Sequence, residues 1–197
     1  MASSAPELVV LAGPNGAGKS TLAPWLLRDE YAIDEFVNAD EIAKGLSGFH
    51  PESVALQSGR LMWERLEELA ENRKSFAFET TLASRTYAPW IVERKAEGYL
   101  TNLVFIWLPN SELAINRVAD RVRLGGHNIP DEVIRRRYEG GLKNLFELYL
   151  PLIDCWSVID GTVLWDHRLI AQGSGNNVIR VMQPELWSDV RDRYRTD

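Results

Sequence analysis

The residues Gly13-Pro14-Asn15-Gly16-Ala17-Gly18-Lys19-Ser20-Thr21 satisfy the spacing G-x-x-x-x-G-K-[ST] of a phosphate-binding loop. Glycine lets a backbone curl round an anion and turn several N–H groups inward. Lys19 brings a mobile positive charge to the β- and γ-phosphates of a nucleotide. The Ser20 hydroxyl suits Mg²⁺, and Thr21 begins a helix whose positive dipole end faces the same anion. At average residue usage such a match arises by chance in about one chain in a hundred of this length. The cofactors this loop implies are ATP or GTP, with Mg²⁺.

Two carboxylates could complete a transfer site. Asp40 follows Asn38-Ala39, and Glu79 precedes Thr80-Thr81. Transfer of a phosphoryl group to a hydroxyl needs a carboxylate to orient that hydroxyl and take its proton. Asp40 is the candidate. Glu79, with Thr80, could bind a polar acceptor or hold Mg²⁺ through water. Leu103 to Leu108 runs into Pro109 without the aspartate that often supports the metal, so Asp40 and Glu79 both stand open for that role. Arginines form a third group: Arg117, Arg121 and Arg123, then Gly125-Gly126-His127, then Arg135-Arg136-Arg137. The planar guanidinium matches phosphate oxygens, and two arginine-bearing helices joined by glycines make a mobile lid. Arg117 and Arg121, spaced i,i+4, share a helix face, and His127 is a further candidate contact in the turn.

These groups need elements to position them. Glu7 to Ala12 is almost wholly apolar, as a buried parallel strand is, and a helix follows the loop from Gly18 to about Arg28. A short strand at 36–38 ends at Asp40, and one at 75–79 ends at Glu79. In a parallel sheet both then stand on the edge that binds ligands. A long helix over 51–72 has Leu56, Leu61, Met62, Leu66 and Leu69 on its apolar face. A helix at 84–97, a strand at 99–108, lid helices starting at Asn110 and Pro130, and a strand at 156–161 continue the alternation. The chain ends in a hairpin round Gly173-Ser174-Gly175-Asn176-Asn177 and a short helix from Pro184. The fold class is α/β, a P-loop NTPase of three α/β/α layers. It has a five-stranded, mostly parallel sheet, a helical lid at about 117–140 and a C-terminal β-hairpin at about 164–183, as one domain over 1–197.

Hydrophobic residues are 45% and charged residues 25% of the 197, the balance of a chain that buries a core. The net charge of −6 argues against broad nucleic-acid or membrane-surface binding. A single cysteine, Cys155, excludes an internal disulfide and suits a reducing cytoplasm, where the protein is expected. No apolar run reaches membrane-spanning length.

Four blocks in this order resemble the zeta-toxin-like branch of P-loop kinases. They are Gly13 to Thr21, Asn38-Ala39-Asp40, Phe78-Glu79-Thr80-Thr81, and Arg121 to Pro130 with Arg135-Arg136-Arg137-Tyr138. The resemblance implies a Mg–nucleotide donor and a small-molecule hydroxyl as acceptor, which in zeta toxins belongs to the sugar of UDP-N-acetylglucosamine. It implies Asp40 as the base, Glu79 as a contact to the sugar nucleotide, Arg121 and Arg136 on the phosphates, and an antitoxin protein as partner. Kinases of other metabolites or nucleosides, and a nucleotide-gated switch without transfer, remain the alternatives. A switch would leave Asp40 and Glu79 facing away from the γ-phosphate.

Overall fold

A computed structural model describes residues 5–126 and 128–194. His127 lies outside the described residues. Among the described residues, seven strands form one sheet in the order β2-β3-β1-β4-β5-β6-β7. They are β1 (Glu7–Ala12), β2 (Glu35–Val37), β3 (Phe76–Thr80), β4 (Leu100–Trp107), β5 (Cys155–Asp160), β6 (Arg168–Ser174) and β7 (Asn177–Val181). The first five are parallel, with β1 between β3 and β4. Parallel neighbours need long crossovers, which the helices supply. These are α1 (Lys19–Trp25), α2 (Ala39–Leu46), α3 (Ala55–Glu71), α4 (Tyr87–Ala96), α5 (Ser111–Arg123), α6 (Asp131–Asn144), the single turn α7 (Leu150–Leu152) and α8 (Pro184–Tyr194).

The five-stranded sheet of the sequence reading is corrected to seven mixed strands. The terminal hairpin is there, but it is not an appendage: β6 pairs antiparallel with β5, and β7 with β6. Burial explains this, because Ile170 and Ala171 are fully enclosed and extend the core of β5. A Cβ on Gly173 would collide with the Trp156 ring, so glycine is what lets β6 cross that indole. The Trp156 indole N–H donates to Gly175 O at 2.8 Å, and its ring stacks on Trp187 of α8.

The core is one cluster spanning both ends of the sheet. On α3 it takes Met62, Leu66, Leu69 and Ala70, together with Ser58. Two leucines expected there face outward instead, Leu56 at 86% and Leu61 at 37% exposure. The buried set at 58, 62, 66, 69 and 70 follows a 3.6-residue period, and Leu56 and Leu61 lie off its stripe. The first turn expected of this helix, Pro51–Val54, is 3-10. Above α3, Trp63, Tyr87, Trp90, Phe76 and Phe78 interlock at ring separations of 4.8 to 6.2 Å, fixing α3 and α4 against β3.

Candidate active site

β1 is fully buried from Leu8 onward and delivers the chain to the loop at the sheet's carboxyl edge. Gly13 adopts φ +141°, and a Cβ there would fall 2.5 Å from Ile106 O. Gly16, at φ +76°, would place one 2.8 Å from Ala114 O. The loop is thus threaded between β4 and α5, and only glycine fits both turns. Lys19 is buried, and its Nζ donates to Gly13 O at 2.8 Å and Pro14 O at 2.9 Å. Burial lowers the pKa of this ammonium. The Glu79 and Asp40 carboxylates oppose that effect, and the Arg121 charge adds to it. A phosphate would offer the lysine charged acceptors in place of loop carbonyls.

Glu79 meets the loop from the neighbouring strand. The register sets Leu11 beside Glu79 and Ala12 beside Thr80. The Glu79 Oε1 atom lies 3.6 Å from Lys19 Nζ, and its Oε2 accepts from Ser20 Oγ at 2.9 Å and from Asn38 Nδ2 at 2.9 Å. Thr80 is occupied locally, its Oγ1 accepting from Leu82 N at 3.1 Å. The Ser20 hydroxyl and the Glu79 carboxylate are hard oxygen donors at the mouth of the loop. This fits Mg²⁺, which takes one or two protein oxygens and fills its octahedron with phosphate and water. Among the described residues, no cluster of three or more His, Cys, Asp or Glu forms a richer cage. The position after β4, which has no metal-supporting aspartate, serves packing: Tyr138 Oη donates to Leu108 O at 2.8 Å and anchors α6.

Asp40 sits in the first turn of α2. Its backbone N–H donates to Asn38 Oδ1 at 2.8 Å, so Asn38 caps the helix. Asp40 lines a cavity of about 420 Å³ together with Ser20, Lys44, Ser58, Arg121 and Arg137. The cavity therefore joins the phosphate loop to α2 and to the arginine-bearing helices. The second arginine on its wall is Arg137 and not Arg136, which is exposed and absent from the lining. One residue on a helix is a turn of about 100°. Arg135 is taken by Glu112 of α5. Glu79 and Thr80 do not line this cavity; Glu79 is turned toward the loop.

Arg117 is a structural strap. It donates to Gly161 O and Thr162 O, both at 2.7 Å, and more weakly to Gly16 O at 3.4 Å. It ties the phosphate loop to the turn that follows β5. Asp160 is buried at the end of β5, and its Oδ1 accepts from Thr162 N at 2.8 Å. The same turn reaches Gly18, where a Cβ would lie 3.7 Å from both His167 Nε2 and Leu164 Cδ2. The strand end Asp160-Gly161 was a signal for this fourth contributor, since every parallel strand delivers its carboxyl end to this edge.

Fold and site together define a P-loop kinase-like α/β protein. Residues 1–168 match the zeta toxin family model, and the chain belongs to that family. An uncharacterized protein of Haemophilus influenzae is 25% identical over 132 residues, 67% of this chain and 92% of its own. Among solved structures, one described in the characterisation of the PezAT chromosomal toxin-antitoxin system of Streptococcus pneumoniae superposes with a TM-score of 0.69 at 15% identity, covering 95% of this chain and 79% of the other. The AvrRxo1-ORF1:-ORF2 structure with ATP gives 0.72 at 18% identity, over 94% of this chain and 63% of that one. These likenesses show the shared fold. Among the described residues, no helix is long and apolar enough to cross a membrane.

Proposed function

We propose that the protein transfers the γ-phosphate of ATP to a hydroxyl of a small molecule held in the cavity between α2 and the α5–α6 pair. One observation carries this reading: a single cavity is walled by Ser20 of the phosphate loop, by the Asp40 carboxylate and by Arg121. A nucleotide switch shares the need for Glu79 beside Ser20 and Lys19 to support Mg²⁺, but has no use for a second acid, Asp40, on the wall of an acceptor-sized cavity.

In the reaction, Lys19 and the loop N–H groups hold the β- and γ-phosphates. Ser20 and Glu79 would hold Mg²⁺, which when bound offsets charge on the phosphate oxygens. The acceptor oxygen bonds to the γ-phosphorus as the bond to the bridging oxygen of ADP breaks. Asp40 takes the hydroxyl proton. Arg121 and Arg137 face the charge on the transferring group. Family membership supports UDP-N-acetylglucosamine as the acceptor, phosphorylated on its sugar. The structural neighbours come from a toxin-antitoxin system and a two-protein complex, which supports an antitoxin as partner. The test is a transfer screen with γ-labelled ATP over sugar nucleotides and nucleosides. Label on UDP-N-acetylglucosamine supports the reading. Label on a nucleoside alone overturns the acceptor, and label on nothing overturns the transfer.

A further inference from the structure

Asn38 is buried at 6% exposure and uses both ends of its amide. Its Oδ1 accepts from the Asp40 N–H at 2.8 Å, and its Nδ2 donates to Glu79 Oε2 at 2.9 Å. We propose that Asn38 is a positioning residue that locks the carboxylate of Glu79 in register with Asp40, so that the base and the group facing Ser20 move as one unit. This rests on the kinase reading for its purpose, though not for its geometry.

The need for a tether follows from the topology. Asp40 and Glu79 stand on different elements, α2 and β3. The strand that precedes α2 has three residues, lies at the edge of the sheet and pairs on one side only. Its last register pair is Val37 with Phe78, so Asn38, the residue that follows β2, and Glu79 of β3 come just past the β2–β3 ladder. Glu79 is held by the β1–β3 ladder, but the β2–β3 ladder stops before Asn38 and Asp40, so backbone pairing leaves the Asp40 side unaligned with Glu79. Glu79 Oε2 also accepts from Ser20 Oγ, so the carboxylate is shared between the loop and the Asn38 amide. A hydroxyl at position 38 could still cap α2, because serine caps as well as asparagine, but it is too short to reach Glu79. The two functions of Asn38 can thus be separated.

The experiment compares Asn38→Ser and Asn38→Ala in wild-type and Glu79→Ala backgrounds. One readout is melting of the nucleotide-free protein. The other is the Mg²⁺ concentration required for half-maximal ATP binding by calorimetry, with ATP binding in EDTA as the control. Losing a hydrogen bond to a charged acceptor should raise the Mg²⁺ requirement of Asn38→Ser about tenfold. ATP binding in EDTA should change by less than about twofold. In the Glu79→Ala background Asn38→Ser should add less than about twofold, and the melting losses of the two changes should be less than additive. Asn38→Ala should melt lower than Asn38→Ser, having lost the cap as well. An Asn38→Ser protein with wild-type Mg²⁺ dependence, or equal effects in both backgrounds, overturns the tether. Coupling seen in a protein that phosphorylates no acceptor supports the tether and counts against the kinase reading alone.

Discussion

Replacing Arg117 by alanine separates two meanings of an arginine beside a phosphate loop. Two of its hydrogen bonds, to Gly161 O and Thr162 O, are short at 2.7 Å, and the third, to Gly16 O, is long at 3.4 Å. A hydrogen bond with a charged partner contributes about 1.5–3 kcal/mol. The site is partly open to water, so the low end applies, and the two good bonds together give about 3 kcal/mol. In a chain of this size each kcal/mol lowers the melting temperature by roughly 2–4 °C, so Arg117→Ala should melt about 6–12 °C lower. The Gly16 carbonyl and the β5–β6 turn would loosen together, weakening ATP binding about tenfold, as the loss of one such bond does. Arg117→Lys has one nitrogen where Arg117 has a fork and should recover about half of the melting loss. Scanning calorimetry and ATP titration read both numbers. An Arg117→Ala protein that melts within about 1 °C of wild type and binds ATP normally, yet loses transfer about a thousandfold, would assign Arg117 to the transition state and refute the strap.

Gly141→Ala offers a conflict between propensity and packing: alanine favours a helix by about 1 kcal/mol, but the new Cβ would strike the backbone carbonyl of Thr81, and a net loss of about 2 kcal/mol is expected in urea unfolding. His167 has its pKa lowered below 6.5 by burial, with Arg117 adding to the effect. The unfolded chain therefore binds the proton more readily, and stability falls as pH drops through 6.5 toward the folded value. His167→Gln should remove that part of the acid-side slope in melts taken from pH 7.5 to 5. At the cavity, Arg137→Ala should lower kcat about tenfold or more while Arg136→Ala stays within about twofold, in steady-state assays at saturating ATP and acceptor.

The sequence carried the site's parts better than their orientation. Strand periodicity and the glycine–lysine–serine spacing brought the phosphate loop, Asp40 and Glu79 to one edge, because parallel strands deliver their ends together. The direction of the Glu79 side chain depends on β3 lying next to β1, and strand order is a long-range property that no local pattern encodes. The same holds for the hairpin, whose turn was legible but whose pairing with β5 depended on the burial of Ile170 and Ala171. Arg136 and Arg137 differ by one residue of helical phase, finer than a run of three arginines can define. Leu56 and Leu61 looked like core because leucine is apolar, yet the buried stripe of α3 is set by Ser58, Met62, Leu66 and Leu69. Arg117, grouped with the lid arginines by its spacing, proved to face carbonyls on two other elements.

The proposed mechanism rests on Asp40 taking a proton during phosphoryl transfer from ATP. Single-turnover transfer of labelled phosphate to UDP-N-acetylglucosamine, run for wild type and Asp40→Asn with ATP affinity measured in parallel, tests it most directly. The wild type should place label on the sugar nucleotide. Asp40→Asn should show a transfer rate lower by about a hundredfold or more, with ATP affinity unchanged. Near-wild-type transfer by Asp40→Asn would contradict the assignment of the base, and absence of transfer by the wild type would contradict UDP-N-acetylglucosamine as the acceptor.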